Sequence, residues 1–301
     1  MDFRRIETNG IALNVACDGP GDGPLVILLH GFPEFWYGWR AQIPALAAAG
    51  LRVVAPDLRG YDLSDKPRGI SAYRANVVAA DIVGLIDDAG RDRATIVGHD
   101  WGGAIAWTIA MRHPDRVSRL VVLNCGHPSA MLRRIATDPR QLARSWYIFA
   151  LQFPWLPERL ARANDFRMLV RALRGSSRPG TFSDDDLARY REAWSQPGAL
   201  TAMIDYYRAA LRCRPPSTDP RANPRIRVPT HLVWGTGDRF LGRELAEDSL
   251  EYCDNGRVTY LDTTHWVQHE APERVSAAII AAARAPSPAS PAPYTADRRA
   301  E

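Results

Sequence analysis

The sequence predicts an α/β protein with a mainly parallel sheet that helices cover on both faces. Short, continuously apolar runs such as 24–30 and 94–97 have the composition of strands that are buried on both faces. Segments with helical spacing, for example 77–89, separate these runs. The alternation stops after 123 and resumes at 230, and the stretch between them has helical patterns only. These observations indicate a sheet-based core with one helical insertion.

The first half of the chain alternates strands and helices. An Asn9-Gly10 turn joins two short runs into an opening hairpin. A loop at 57–67, rich in Asp, Gly and Pro, separates the next strands from a long helix. The predicted elements are strands at 3–7, 11–16, 24–30, 52–55, 94–97 and 120–123, and helices at 41–49, 77–89 and 102–113.

The second half contains the insertion and the end of the core. Ser183 and Asp186 form a capping-box pattern, which is typical of a helix N-terminus. The predicted elements are helices at 141–149, 184–194, 199–211 and 272–283, and strands at 232–234 and 258–261. We therefore expect a discontinuous core, 1–126 and 223–284, an inserted helical cap, 127–222, and a Pro/Ala/Ser-rich disordered tail, 285–301.

Composition excludes several classes of protein. The chain has 301 residues and a net charge of +4, and its basic residues form no stripe, so a nucleic-acid partner is not expected. Its four cysteines are widely spaced, which favours free thiols in a reducing compartment. No apolar run has the length of a membrane span, and the N-terminus has no signal-like segment. We expect a cytoplasmic protein without a membrane partner or cofactor, and a homodimer is left open.

The stretch 94–103, ATIVGHDWGG, predicts a strand, a sharp turn and a helix. Gly98 and Gly102 flank Asp100 in a G-x-D-x-G pattern, the arrangement of a nucleophile elbow with Asp in place of the usual Ser. An ionised carboxylate can displace a leaving group at a saturated carbon and become an ester, so the pattern predicts alkyl transfer. On its own, G-x-D-x-G is equally consistent with a structural turn.

Two further candidates follow predicted strands, where open α/β sheets place their catalytic groups. Asp238 ends the turn after 232–234, and His265 follows 258–261. The order nucleophile, acid, histidine is that of the α/β-hydrolases, which favours Asp100, Asp238 and His265 as a triad. His265 and His269 also stand four apart like metal ligands, but neither an H-E-x-x-H motif nor an acidic cluster accompanies them, and we expect no metal site.

Together these residues resemble the epoxide hydrolases of the α/β-hydrolase fold. The resemblance covers nearly the whole chain before the tail, and its motifs are specific in combination. The matching segments are HGFPEFWYGWR at 30–40, GHDWGG at 98–103, WGTGD at 234–238 and HWVQHEAP at 265–272. One departure is Asp62, where members of this family usually have Gly; Asp tolerates left-handed backbone better than most residues.

The resemblance implies further site residues. Two tyrosines of the cap, Tyr147 and Tyr207, would donate hydrogen bonds to the epoxide oxygen, with Tyr206 as the alternative to Tyr207. The backbone N–H groups of Phe32 and Trp101 would form the oxyanion hole. The expected substrate-binding side chains are Phe32, Trp101, Leu241 and Trp266, mostly apolar, which favours an apolar epoxide.

The implied activity is that of a hydrolase acting on ether bonds. An epoxide and water would give a vicinal diol through a hydroxyalkyl ester on Asp100, in a detoxification role. A haloalkane or haloacid dehalogenase is the first alternative, because it uses the same kind of triad. A non-catalytic ligand-binding relative is the second alternative, although no triad member is missing from this sequence.

Overall fold

A computed structural model describes residues 1–213 and 225–286 of the chain. Its centre is an eight-stranded sheet in the order β1-β2-β4-β3-β5-β6-β7-β8. The β1–β2 and β2–β4 pairs are antiparallel, and the other neighbouring pairs are parallel. The strands are β1 Asp2–Thr8, β2 Ile11–Asp18, β3 Leu25–Leu29, β4 Arg52–Pro56, β5 Ala94–His99, β6 Val117–Leu123, β7 Thr230–Gly235 and β8 Gly256–Leu261.

Helices cover both faces of this sheet. The α-helices of the core are α1 Gln42–Ala48, α2 Ala75–Asp88, α3 Trp101–Arg112, α10 Glu244–Leu250, α11 Val267–Glu270 and α12 Pro272–Arg284. Between β6 and β7 lie α4 Pro128–Thr137, α5 Pro139–Arg144, α6 Trp146–Ala150, α7 Leu156–Ser176, α8 Asp184–Ser195 and α9 Ala199–Arg212. Short 3-10 helices occupy Trp36–Trp39, Ile70–Tyr73 and Pro114–Arg116. The α/β class and mainly parallel sheet predicted from the sequence are confirmed.

The central strands show why the apolar runs are continuous. Every residue of β3 is buried, and successive side chains point to opposite faces. Ile27 packs in one apolar cluster with residues of α2 and α3. Val26 and Leu28 pack in a second cluster with residues of α1 and α12. Burying each such side chain contributes about 1.5–3 kcal/mol, so a strand with two covered faces needs apolar residues at every position.

The helical segment between β6 and β7, Pro128–Arg212, differs from the sequence-based expectation in detail. The expected helix at 141–149 is wrong, because the chain forms α5 and α6 on either side of Ser145, whose ψ of 9° is not helical. Helix α7 was not predicted; its apolar residues lie on both faces, and its backbone is not helical at 163–166. The capping box of Ser183 and Asp186 at the start of α8 is present.

Two expected boundaries fall mainly outside the residues that the structure describes. The predicted change from cap to core at 222–223 lies within 214–224, which is not described. Of the predicted tail, only residues 285 and 286 are described. The division into core, cap and tail therefore stays a prediction.

Candidate active site

Asp100 lies on a sharp turn between β5 and α3. Its backbone has φ 51° and ψ −120°, which is uncommon for a residue with a side chain and is typical of a nucleophile elbow. A Cβ on Gly98 would lie 2.2 Å from the Gly102 carbonyl oxygen, and one on Gly102 would lie 2.1 Å from that of Leu29. Packing therefore requires both glycines of the G-x-D-x-G pattern, and the Asp100 side chain keeps 18% exposure.

The sheet brings Asp238 and His265 to the same place. His265 Nδ1 is 2.7 Å from Asp238 Oδ2, and His265 Nε2 is 3.6 Å from Asp100 Oδ2. Both Asp238 and His265 are buried. A carboxylate, an imidazole and a second carboxylate thus stand in line, which is the arrangement of a nucleophile, a base and an orienting acid.

Asp238 is held by residues that the sequence analysis did not single out. The side-chain amide of Asn124 donates to Asp238 Oδ2 at 2.7 Å, and the N–H groups of Phe240 and Leu241 donate to Oδ1 at 2.7 and 3.0 Å. Asn124 is buried and follows β6 directly. The available signal was its position, since β6 is the neighbour of the strand that precedes Asp238.

The first expected oxyanion donor contacts Asp100. The backbone N–H of Phe32 donates to Asp100 Oδ1 at 2.8 Å, and the Phe32-Pro33 peptide bond is cis. Trp101, the second expected donor, begins α3 directly after Asp100. The first N–H groups of a helix have no partner within the helix, and they favour a negative charge. Asp100 Oδ1 therefore has one backbone donor, and the Trp101 N–H stands next to it at the start of the helix.

The charges of Asp100, Asp238 and His265 support one another. Burial alone would lower the pKa of His265, but the charge of Asp238 and hydrogen bonds to both carboxylates raise it to about 10. Burial opposes ionisation of Asp238, yet His265 and the bond from Asn124 hold its pKa below the usual value. The resting site therefore contains a protonated imidazole between two carboxylates at neutral pH.

Tyr147 on α6 and Tyr207 on α9 lie over this site. Their ring centroids are 5.9 Å apart, and the ring of Tyr207 packs against Phe32 at 5.4 Å and Trp101 at 4.9 Å. Burial, followed by the charge of Asp100, raises the pKa of both hydroxyls. Both tyrosines are thus protonated near the nucleophile, where they can donate hydrogen bonds.

Tyr206 has a different environment from its neighbour. Its hydroxyl donates to the Arg59 carbonyl at 2.8 Å, and its ring packs against Tyr61 and Tyr73. Tyr206 is fully buried. These contacts fix it within the core-facing side of α9 and favour Tyr207 as the residue that faces the site.

Of the remaining predicted wall residues, Trp266 packs against His265. The Trp266 ring lies 5.1 Å from that of His265, and its indole N–H donates to Ser176 Oγ at 2.9 Å. Leu241 is buried and follows the acid-bearing turn. Phe240, which the sequence analysis missed, packs its ring 5.3 Å from His265 and 5.8 Å from Tyr147. The site is lined mainly by apolar groups.

A second buried polar cluster lies behind the triad. Glu34 is 2.6 Å from His269 Nε2 and accepts a hydrogen bond of 2.7 Å from the Tyr190 hydroxyl. His99, 3.3 Å from Glu34, is 2.9 Å from the His265 carbonyl oxygen. Burial opposes the charge of Glu34, but its histidine neighbours hold its pKa well below the usual value. This cluster connects α8 to the loop that carries the base.

The two histidines considered as metal ligands have separate partners. His265 contacts Asp238 and Asp100, whereas His269 contacts Glu34. Residues 1–213 and 225–286 contain no group of three or more His, Cys, Asp or Glu side chains that could hold a metal ion. The arrangement found is one for acid–base and nucleophilic chemistry.

Asp62, the departure from the family pattern, adopts a left-handed backbone with φ 37°. It is buried beside Asp57, which accepts bonds from Asn14 and the Trp36 N–H. Burial and then the charge of Asp62 raise the pKa of Asp57 well above its usual value. The loop therefore keeps its left-handed turn and carries a pair of close carboxyl groups.

The fold and the site define an α/β-hydrolase with an aspartate at the elbow. A family model described as alpha/beta hydrolase fold matches residues 24–272. The chain is 46% identical over 276 residues to the AB hydrolase superfamily protein YfhM of Bacillus subtilis, covering 91% of this chain and 95% of that protein. It is 38% identical over 284 residues to human epoxide hydrolase 4, covering 92% of this chain and 77% of the human protein.

Comparison with solved structures identifies the same family. Epoxide hydrolase A from Mycobacterium thermoresistibile superposes with a TM-score of 0.83 at 31% identity, over 94% of this chain and 98% of that chain. The Bacillus megaterium epoxide hydrolase in complex with an inhibitor gives a TM-score of 0.82 at 31% identity, over 92% and 98% of the two chains. The chain belongs to the epoxide hydrolases of the α/β-hydrolase fold. The family and enzyme class predicted from the sequence are confirmed.

Proposed function

We propose that this enzyme hydrolyses an apolar epoxide to a vicinal diol through an ester on Asp100. The observation that carries the proposal is the position of this carboxylate, between the His265 imidazole and two buried tyrosine hydroxyls. Asp100, Asp238 and His265 form the triad, and Tyr147 and Tyr207 are the acids. Phe32, Trp101, Leu241 and Trp266 form an apolar substrate wall, to which Phe240 is added.

In the first step, Asp100 attacks one epoxide carbon and the carbon–oxygen bond of the ring breaks. Oδ1 accepts the Phe32 N–H bond, which leaves Oδ2 as the attacking oxygen. The departing oxygen becomes an alkoxide, a poor leaving group, and takes a proton from Tyr147 or Tyr207. Because burial raises the pKa of both hydroxyls, they are present as neutral donors before the reaction.

In the second step, water attacks the carbonyl carbon of the Asp100 ester. Ester formation removes the Asp100 charge that helps to raise the pKa of His265. The pKa of the imidazole then falls, and the proton that His265 gives up returns to the tyrosinate left by the first step. The neutral imidazole takes a proton from the attacking water, while Asp238 keeps it oriented. The tetrahedral oxyanion lies at Oδ1, where the N–H groups of Phe32 and Trp101 stabilise it. Its collapse breaks the ester bond, the departing diol oxygen takes the remaining proton of the attacking water, and Asp100 returns to a carboxylate.

The dehalogenase alternative requires donors suited to a halide, typically indole or amide N–H groups. Three indole N–H groups near the site are already bonded, those of Trp266 to Ser176, Trp194 to Pro33 and Trp107 to Cys125. Trp101 alone does not distinguish the two reactions. Two tyrosine hydroxyls suit an alkoxide better than a halide, which favours the epoxide.

The biological setting is also part of this proposal. No helix in the described ranges is long and apolar enough to cross a membrane. We propose a cytoplasmic enzyme with a role in detoxification, in which Pro128–Arg212 acts as the cap over the site. A homodimer remains an arrangement to be tested in solution.

The test is replacement of the base, His265→Gln, followed by intact-mass measurement after mixing with a panel of epoxides and haloalkanes. The Asp100 carboxylate can still attack the substrate, but the base for hydrolysis is absent, so an ester accumulates. Ring opening keeps every atom, so an epoxide adds its whole mass. A haloalkane adds its mass less that of the hydrogen halide.

The control is the double variant His265→Gln/Asp100→Asn, which is expected to remain unmodified. Whole-epoxide adducts on the peptide that contains Asp100 support the proposal. Adducts from haloalkanes alone assign the chain to the dehalogenases, and no adduct from either class contradicts catalysis through Asp100.

A further inference from the structure

A run of large apolar side chains is exposed between α6 and the first turns of α7. We define this aromatic surface as Trp146, Phe149, Phe153, Trp155, Leu156 and Leu160. Trp146, Phe153 and Trp155 are 67%, 60% and 64% exposed, and the other three are 38–50% exposed. Six such residues within the 15 positions 146–160 exceed the scattered exposed hydrophobes of an ordinary surface, and such patches mark interaction sites.

The backbone beneath this surface is fixed by hydrogen bonds. Gln152 donates to the Tyr207 carbonyl at 3.0 Å, and Arg208 donates to the carbonyls of Leu151 at 3.2 Å and Phe153 at 2.7 Å. These bonds attach the segment to α9, and they leave the aromatic side chains on the outside. The exposure of these side chains therefore follows from the way the segment is attached to α9.

The same segment carries an excess of positive charge, and one of its arginines, Arg174, pairs with Asp184 of α8. Residues 139–176 contain seven arginines, no lysine and two acidic residues, a net charge of +5. Both acids are already paired with arginines from other elements, Glu158 with Arg208 at 2.6 Å and Asp165 with Arg191 at 2.9 Å. Within the described residues, no ion pair is formed by the exposed arginines next to the aromatic surface, which are Arg140, Arg144, Arg159 and Arg162.

We infer that the aromatic surface docks the enzyme on the face of an anionic lipid bilayer. Tryptophan and phenylalanine beside arginine suit the boundary between acyl chains and negatively charged headgroups. A second copy of the chain fits less well, because the exposed arginines beside the aromatic surface would face those of the other copy and repel them. This inference revises the expectation of no membrane partner, which rested on the lack of a spanning segment and of a signal-like N-terminus.

Docking would place the site close to the bilayer. Trp146 and Phe149 lie on the exposed side of α6, whereas Tyr147 on the same helix contacts Tyr207 and Phe240 over the nucleophile. An apolar epoxide dissolves in the bilayer and would meet the site one helix away. This consequence rests on the proposed function, but the docking itself does not.

The experiment is co-sedimentation of the full chain with vesicles, either phosphatidylcholine alone or phosphatidylcholine with phosphatidylglycerol. We expect binding to the anionic vesicles, weakening as salt rises, with a blue shift of tryptophan emission. Trp146→Ser/Trp155→Ser removes the two most exposed indoles and is expected to lower binding at least about tenfold. Arg140→Gln/Arg159→Gln lowers it about fivefold per arginine.

Matched controls come from elsewhere on the surface. Phe3 is 51% exposed on β1, and Arg68 is exposed; Phe3→Ser and Arg68→Gln should bind anionic vesicles like the wild type. Far-UV circular dichroism and hydrolysis of a water-soluble epoxide check that each variant is folded.

Three outcomes overturn the inference. They are no binding to either vesicle, equal binding to neutral and anionic vesicles, and a dimer in sedimentation velocity that Trp146→Ser/Trp155→Ser dissociates. Because vesicle binding requires no turnover, it succeeds or fails independently of the proposed reaction.

Discussion

The core and the inserted segment Pro128–Arg212 hold their reactive groups by different means. The core fixes its groups with hydrogen bonds at strand ends: Asp238 has partners at both carboxylate oxygens, and Asp100 Oδ1 accepts the Phe32 N–H. The inserted segment holds Tyr147 and Tyr207 mainly by contacts between ring edges and faces. Polar bonds fix distances more narrowly than apolar packing does.

This difference separates the chemistry from the choice of substrate. In the proposed mechanism, the core provides the nucleophile, the base and the oxyanion donors, whose geometry any ester intermediate requires. In the same proposal, the inserted segment provides the acids for the leaving oxygen and part of the apolar wall, on elements separate from those that carry Asp100, Asp238 and His265. Changes in the core should therefore abolish turnover, and changes in the inserted segment should reduce it and alter selectivity.

The largest effect is expected from the core, in Asp238→Asn. The amide would fix His265 in the wrong tautomer and would no longer stabilise its positive charge, so turnover should fall about 10⁴-fold. Steady-state kinetics with a quench of the Asp100 ester locates the loss in the second step. Turnover within tenfold of the wild type would mean that another group orients His265.

A smaller effect is expected from the inserted segment, in Tyr147→Phe and Tyr207→Phe. Each change removes one donor to the developing alkoxide and should slow ester formation about 10²-fold, by analogy with oxyanion donors. Quenching of tryptophan fluorescence on mixing with epoxide follows this step. The double change should nearly abolish it.

Tyr206→Phe is the matched control for the adjacent position. Its hydroxyl bonds to the Arg59 carbonyl, so this change should cost stability and leave ester formation within about threefold of the wild type. A large kinetic loss at Tyr206 with none at Tyr207 would show that the other face of α9 meets the site.

The sequence predicts the core better than the inserted segment, for a physical reason. Strands covered on both faces need an apolar residue at each position, so 24–30 and 94–97 are recognisable without a fold. Helix α7 has exposed apolar residues such as Leu160 and Met168. Its apolar residues are therefore less regularly spaced along the sequence than the pattern that predicts a helix.

The sequence likewise predicts only part of the candidate site. Asp100, Asp238 and His265 follow strands in a fixed chain order, so their meeting could be expected. Asn124 and Phe240 contribute through contacts that arise only when the sheet has formed, and apart from the position of Asn124 directly after a strand, no local pattern identifies them. Glu34 belongs to this second group, because its partners His99 and His269 come from distant parts of the chain.

The smallest effect is expected on stability, in the core loop where Asp62 replaces the usual Gly. Glycine adopts a positive φ without strain, and Asp62 has φ 37°, so Asp62→Gly should stabilise the fold by about 1 kcal/mol. The change also removes a buried carboxyl next to Asp57, whose pKa is raised by burial and by Asp62.

The sign of the pH dependence follows from that raised pKa. A group whose pKa is higher in the folded than in the unfolded state loses its stabilising contribution as pH rises through the folded-state pKa. The free energy of unfolding of the wild type should therefore fall from acidic to neutral pH, because the carboxyl pair of Asp57 and Asp62 must ionise. In Asp62→Gly this fall should be smaller. The gain from the change is then larger at about pH 8 than at about pH 5.

Urea unfolding of the wild type, Asp62→Gly and Asp62→Asn at both pH values separates the two causes. Asp62→Asn removes the charge but keeps the left-handed strain, so it should recover only the pH-dependent part of the gain. Equal gains for Asp62→Gly at both pH values would assign the whole effect to the backbone and none to the carboxyl pair. Destabilisation by both changes would mean that the Asp62 carboxyl stabilises the folded loop. Substitutions in this loop of the core would then cost more stability than substitutions in the inserted segment.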